Sequence, residues 1–299
     1  MSSTVPGSVP PSRAAGSVTG HVPTQAGPGT GRRVTLVPPA TDRFDRVARA
    51  EWSKLWSVRS TGWSLLALVV VTTGIAALAC WGTMTGIEQS PEEVPPFDTV
   101  NLTLAGLSLG QLAAAVLGAM VISTEYSTGA IRSTLTATPQ RLRLLSAKAL
   151  VFIVVALVVG LVTCILSFVV GQAFLSERYR VDFGDPGVSR ALLGGALYVA
   201  GSGMFGFAFG ALLRQTAGAI TAAVAFLLVL PPLSQLLPGS WGDTVTEHFT
   251  SNAGQAITFS QSVPNGAVGL SPWAGYAWFT AEWLLILAVA AVLMVRRDA

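Results

Sequence analysis

Charge is what this sequence has least of. Of 299 residues only 11% are Asp, Glu, Lys or Arg, against 51% hydrophobic, and mean hydropathy is +0.59. A soluble domain carries roughly a quarter of its residues as charges, so lipid must supply much of the solvent around this chain. Cysteine and histidine are almost missing, with two of each. Cys80 and Cys164 stand far apart without partner His or Cys, which excludes a disulfide framework and a cysteine metal site. His248, beside Glu247, likewise has no second ligand near it in sequence. No GxxxxGK(S/T) phosphate loop occurs, so the chain is not expected to hydrolyse ATP, and no HExxH or nucleophile–base pair marks it as an enzyme. The N-terminus lacks the apolar core of a secretory signal. No basic cluster is interleaved with aromatics, so nucleic acid is not an expected partner.

What the chain does have is six long apolar runs, at about 62–81, 102–122, 149–174, 191–213, 216–236 and 276–295. Each can cross a hydrocarbon core about 30 Å thick. Their length and lack of strict alternation exclude a barrel, and helices are the remaining way to satisfy a backbone in lipid. The expected fold is an all-α membrane protein with six transmembrane helices. Pro231-Pro232 should kink or end the fifth.

Orientation follows from the basic residues. With the N-terminus in the cytosol, all of the 18 Lys and Arg except Arg178, Arg180 and Arg190 fall on the cytosolic side. The opposite loops hold Glu88, Glu92, Glu93, Asp98, Glu177, Asp182, Asp185, Asp243 and Glu247. Both termini are expected to be cytosolic, the protein to be multi-pass in the plasma (inner) membrane, and the basic face to meet lipid headgroups.

Residues 1–41 are rich in Pro, Gly, Ser and Thr and poor in large apolar side chains, so a disordered cytosolic tail is expected there, with residues 42–299 as the membrane domain. From Phe44 to Arg59 the pattern becomes that of an amphipathic helix lying on the leaflet before the first span, with Trp52 and Trp56 at headgroup depth. The loop after the second span has a pattern of its own. Ser127 or Thr128 can cap a short helix, Ile131 and Leu135 form its apolar edge, and Pro139 closes it. Arg141, Arg143 and Lys148 then lead into the third span.

Within the spans, Gly206 and Gly210 form a GxxxG pair suited to close helix approach, inside the subunit or at a dimer seam. Glu282 is the only carboxylate inside an expected span, and its readings are a place in the translocation path, a helix–helix hydrogen bond, or interfacial placement. Gln111 is expected to bond between helices rather than hold substrate. Residues 237–272 suggest a partly re-entrant or capping loop, followed by an aromatic belt of Trp273, Trp278 and Trp283.

Three stretches in order together resemble the membrane subunits of ABC-2 type exporters. They are Arg49-Ala-Glu-Trp-Ser-Lys-Leu55, the element from Glu125 to Leu135 with Pro139, Arg141 and Lys148, and the turn Phe209–Ile220. The resemblance covers roughly 42–295. It implies a subunit that dimerises, with an identical or different partner, and pairs with ABC ATPase subunits that bind the ATP; this chain would hold no cofactor. It implies a connecting helix around Arg49, Glu51, Trp52 and Lys54, and a coupling helix whose transmission contacts would include Glu125, Arg132, Arg141 and Lys148. The competing readings are a non-transporting membrane anchor or assembly factor and, more remotely, a membrane-embedded enzyme.

Overall fold

The computed structural model describes residues 44–57, 59–89, 97–131, 140–260 and 270–296. The expectations for residues 1–41, and for Arg132, Leu135 and Pro139, lie outside these residues. Among the described residues there are helices and turns and no strand.

Helix α1 (Phe44–Ser57) precedes the first span, α2 (Arg59–Gln89). A short helix, α3 (Thr99–Thr103), is capped by Asp98, whose side chain accepts from Asn101 N. The chain then turns through Leu104–Gly106 into α4 (Leu107–Ser127), so the second span starts later than hydropathy alone suggests. Helix α5 (Arg141–Phe174) starts earlier than expected. Nothing between Arg141 and Lys148 breaks a helix, so the basic lead-in forms the first turns of the third span. The fourth span is α6 (Val188–Leu213). The fifth is composite: α7 (Thr216–Val224), a π turn (Ala225–Val229) and α8 (Leu230–Ser234). Pro231 and Pro232 have no N–H to return to the preceding turn, and the ladder widens just before them. After α9 (Gly239–His248) and α10 (Thr250–Gln255), the last span is α11 (Pro272–Arg296). Six of these segments are long and apolar enough to cross a bilayer, and the protein is an all-α, multi-pass membrane protein.

Helix α6 is the central pillar, buried along almost its whole length against α4, α5, α7 and α11. Without a hydrophobic drive in lipid, helices associate by close packing of small residues. Here a Cβ on Gly206 would run into the carbonyl oxygen of Ala115, and one on Gly118 into that of Gly203. Gly210 faces Ala119 and Ile122 in the same seam. Above it, Phe205, Phe279 and Tyr198 form an aromatic cluster with ring centroids 5.1 and 5.3 Å apart.

At the end opposite α1, residues 237–260 fold inward as helices. Thr250, Ser251, Ala253 and Gly254 of α10 are buried against α11 and α6. Asp98 accepts hydrogen bonds from Ser260 N at 2.6 Å and Ser260 Oγ at 2.9 Å, while Arg190 donates to the carbonyls of Phe259 and Ser260. Trp283 departs from the expected aromatic belt. Trp273 and Trp278 are exposed, but the helical turn carries Trp283 round into the core, where it is 7% exposed.

Candidate functional site: a buried charge network at the basic end

Helix α1 does not merely float on the leaflet. Val47 and Glu51, one turn apart and so on one face, are both buried. Val47 packs with Ile131, Leu144 and Ala147, which seats α1 on the start of α5 and on the segment following α4. Leu144 and Lys148 of α5 repeat the same one-turn spacing, so an apolar contact and a charged contact fall side by side.

The charged contact is a four-residue network. Lys148 Nζ donates to Glu51 Oε2 at 2.5 Å and to Glu125 Oε1 at 2.9 Å. Lys54 Nζ donates to Glu51 Oε1 at 2.9 Å and Glu125 Oε1 at 3.1 Å. The side chains of Lys148, Glu51 and Glu125 are only 4%, 5% and 13% exposed, whereas that of Lys54 is 46% exposed. Two carboxylates and two ammonium groups balance, which is the condition for burying charge at a tolerable cost. Burial alone would push the Lys54 ammonium down; its hydrogen bond to Glu51 and the charge of Glu125 overcome that and hold it above its ordinary value.

Lys54 and Lys148 are the only lysines in the chain, and every other basic residue is arginine. An ammonium is a compact charge with three donors, able to bridge two carboxylates where a planar guanidinium would need a flat, wider slot. Neither hydropathy nor the spacing of the sequence pointed to this pairing.

The network joins Glu51, Lys54, Glu125 and Lys148. It leaves out Arg49, which pairs on the exposed side of α1 with Asp45 at 2.7 Å, and Trp52, exposed beside Trp56. Arg141 reaches elsewhere, its Nη1 donating to the Met294 carbonyl at 2.9 Å and tying α5 to the end of α11. Arg214 was not singled out by the spacing of the sequence. It lies in the turn between α6 and α7 with φ of 58°, and its guanidinium stacks over Tyr126 at 5.3 Å. Ser123 and Thr216 share a 2.9 Å hydrogen bond nearby.

The remaining candidates lie away from this cluster. Gln111 accepts from the Tyr198 hydroxyl and donates to the Ser108 carbonyl. Gln255 Nε2 donates to the same hydroxyl at 3.2 Å. Glu282 Oε1 accepts from Trp278 Nε1 at 3.2 Å and Thr250 N at 3.4 Å, so it joins α11 to the first turn of α10. His248 packs edge-on against Trp278. Among the described residues no cluster of His, Cys, Asp and Glu is arranged to hold a metal.

Beside the network a cavity of about 360 Å³ opens between α1, α2 and α4, within the size range of small-molecule sites. The charge network and the cavity lie within a region that matches a known family, and the α1–α5 seam does so apart from Val47: residues 48–229 match the ABC-2 family transporter protein. The chain belongs to the ABC-2 transporter family. The match begins in α1 and ends at the π turn of the fifth span, leaving the inward-folded helices and α11 outside it. No curated protein shows a significant match to the chain. This ABC-2 protein is therefore a transport permease, and membrane subunits of the family generally work with an ATPase partner.

Proposed function

We propose that this permease is the membrane half of an ATP-driven exporter in the plasma membrane, with both termini in the cytosol. ATP is bound and hydrolysed on a separate subunit, and this chain is not itself an enzyme. A second permease subunit, identical or different, completes the translocation path.

One observation carries this reading: the buried network clamps α1 to the ends of α4 and α5, the two helices that flank residues 128–140. A soluble partner gripping that segment would move α1, α4 and α5 as one body. Nucleotide state could bias such a unit between two arrangements only through contacts that differ between them. Arg132 lies in the segment a partner would grip, and Glu125 and Lys148 would pass its displacement to α1.

The test is recovery of the tagged chain from native membranes in mild detergent, followed by reconstitution. We expect a Walker-motif ATPase in stoichiometric amount, its loss on Arg132→Glu without loss of membrane insertion, and ATP-dependent movement of solute away from the ATPase side. Recovery of the chain alone, or with a partner that is no ATPase, would support the anchor reading instead.

A further inference from the structure

Helices α2 and α4 touch where Thr72 abuts Gly106 and Gly110, and they spread apart toward the basic end, where the cavity lies. Its lining is of two kinds. Leu55, Leu117 and Val121 form apolar wall, and from them a narrow crevice runs on to Phe152 and Val199 inside the bundle. Lys54 and Glu125, with the hydroxyls of Ser57, Ser64 and Thr124, form a polar end. A polar end continuous with an apolar cleft, where the first span begins at Thr61, suits an amphiphile.

The charges narrow the headgroup. The network is neutral, so a bare ion of either sign gains no net attraction from it. Two valences nevertheless stay open. Lys54 has three N–H donors; Glu51 and Glu125 take two, and among the described residues nothing takes the third, on a half-exposed side chain. Glu125 Oε2 is buried with no hydrogen-bond partner among these residues. Glu125 lines the cavity, and a buried carboxylate oxygen without a partner needs an N–H donor. The side chains bearing the two valences are bridged at 3.1 Å. One headgroup that joins a phosphate to an ammonium through an ethylene linker spans both.

We propose that this cavity binds a phospholipid with a primary-ammonium headgroup, drawn from the adjoining leaflet. Its phosphate meets Lys54, its ammonium meets Glu125, and one acyl chain enters the crevice as α2 and α4 part. A quaternary ammonium has no N–H for Glu125, and a glycerol headgroup brings no cation. The site does not depend on the ATPase reading and is tested without a partner subunit.

The experiment is native mass spectrometry of the purified full-length chain, delipidated and titrated with phosphatidylethanolamine, phosphatidylcholine and phosphatidylglycerol of matched acyl chains. Losing one charge-assisted hydrogen bond should lower retention about tenfold, so phosphatidylethanolamine should be held about tenfold more strongly than phosphatidylcholine. Ser64→Phe, which fills the cavity from α2, should abolish the preference. Lys54→Gln, at a half-exposed position, should weaken retention and keeps the test open should Ser64→Phe fail to fold. Equal retention of all three lipids would overturn the proposal, as would preference for phosphatidylglycerol, or an unchanged preference in a folded Ser64→Phe. Displacement of the lipid by equimolar glycerophosphoethanolamine would also overturn it, since the site would then serve a soluble aminophosphate.

Discussion

Lys148 sits 4% exposed between two carboxylates from different helices. Removing one member of a buried ion pair leaves the other charge uncompensated. Lys148→Met should therefore cost about 3 kcal/mol, read as a fall in the melting temperature of the detergent-solubilised protein. Adding Glu51→Leu should restore part of it, since Lys54 and Glu125 remain paired; a double mutant no more stable than Lys148→Met would refute the network's energetics. Lys54 sets the pH response. Its ammonium is held above the ordinary value of 10.5, so its contribution is full below that value and disappears as pH rises through the raised one. Melting temperature should thus not respond to Lys54→Gln differently at pH 6 and pH 9, and the difference between the two proteins should shrink only above pH 10.5. These residues were visible in the sequence as charges flanking spans. That Lys148 donates to Glu51, 97 positions away, was not visible, because no local pattern reports which helix faces cross.

At the scale of elements, the seam between α4 and α6 depends on the absence of side chains. Gly206→Ala should destabilise by about 1–3 kcal/mol, the usual cost of overpacking a tight contact. Gly82→Ala is its control: a Cβ at Gly82 in α2 meets nothing within 4 Å, so it should be neutral or gain up to about 1 kcal/mol of helix propensity. Equal losses in both variants would mean that α4 and α6 do not cross on Gly206. The GxxxG spacing was legible, but the choice between a seam within the subunit and one between subunits required the position of α4. The continuity of α5 from Arg141 was also decided by structure. Hydropathy drops there, yet the residues have good helix propensity, and α1 and α11 supply partners for the charges.

For the whole molecule, the cavity opens at the basic end, while Asp98, Arg190 and Asn101 fasten residues 258–260 over the other. Cys80 and Cys164 are buried, so native thiols give a silent background for labelling. A membrane-impermeant maleimide should modify Ser64→Cys from the basic side only and leave Ala253→Cys unmodified from either side. Adding Asp98→Ala should expose the second site from the opposite side, because the carboxylate that holds Ser260 is gone. Labelling of Ala253→Cys without that change would show that the far end is open at rest.

The sequence alone determined the solvent of this protein, the number of its spans, the segregation of basic from acidic ends and the likeness of its loops to ABC-2 subunits. Each is a property of composition or of a short window: an apolar run of sufficient length leaves the chain no alternative to a membrane helix. Only the tertiary structure decided that α6 lies at the centre, that Trp283 turns inward, that both lysines meet the same pair of carboxylates, and that a cavity lies beside them. Those outcomes depend on where helices cross and how each is rotated about its axis, and in a bilayer that is decided by which surfaces fit closely rather than by which are apolar.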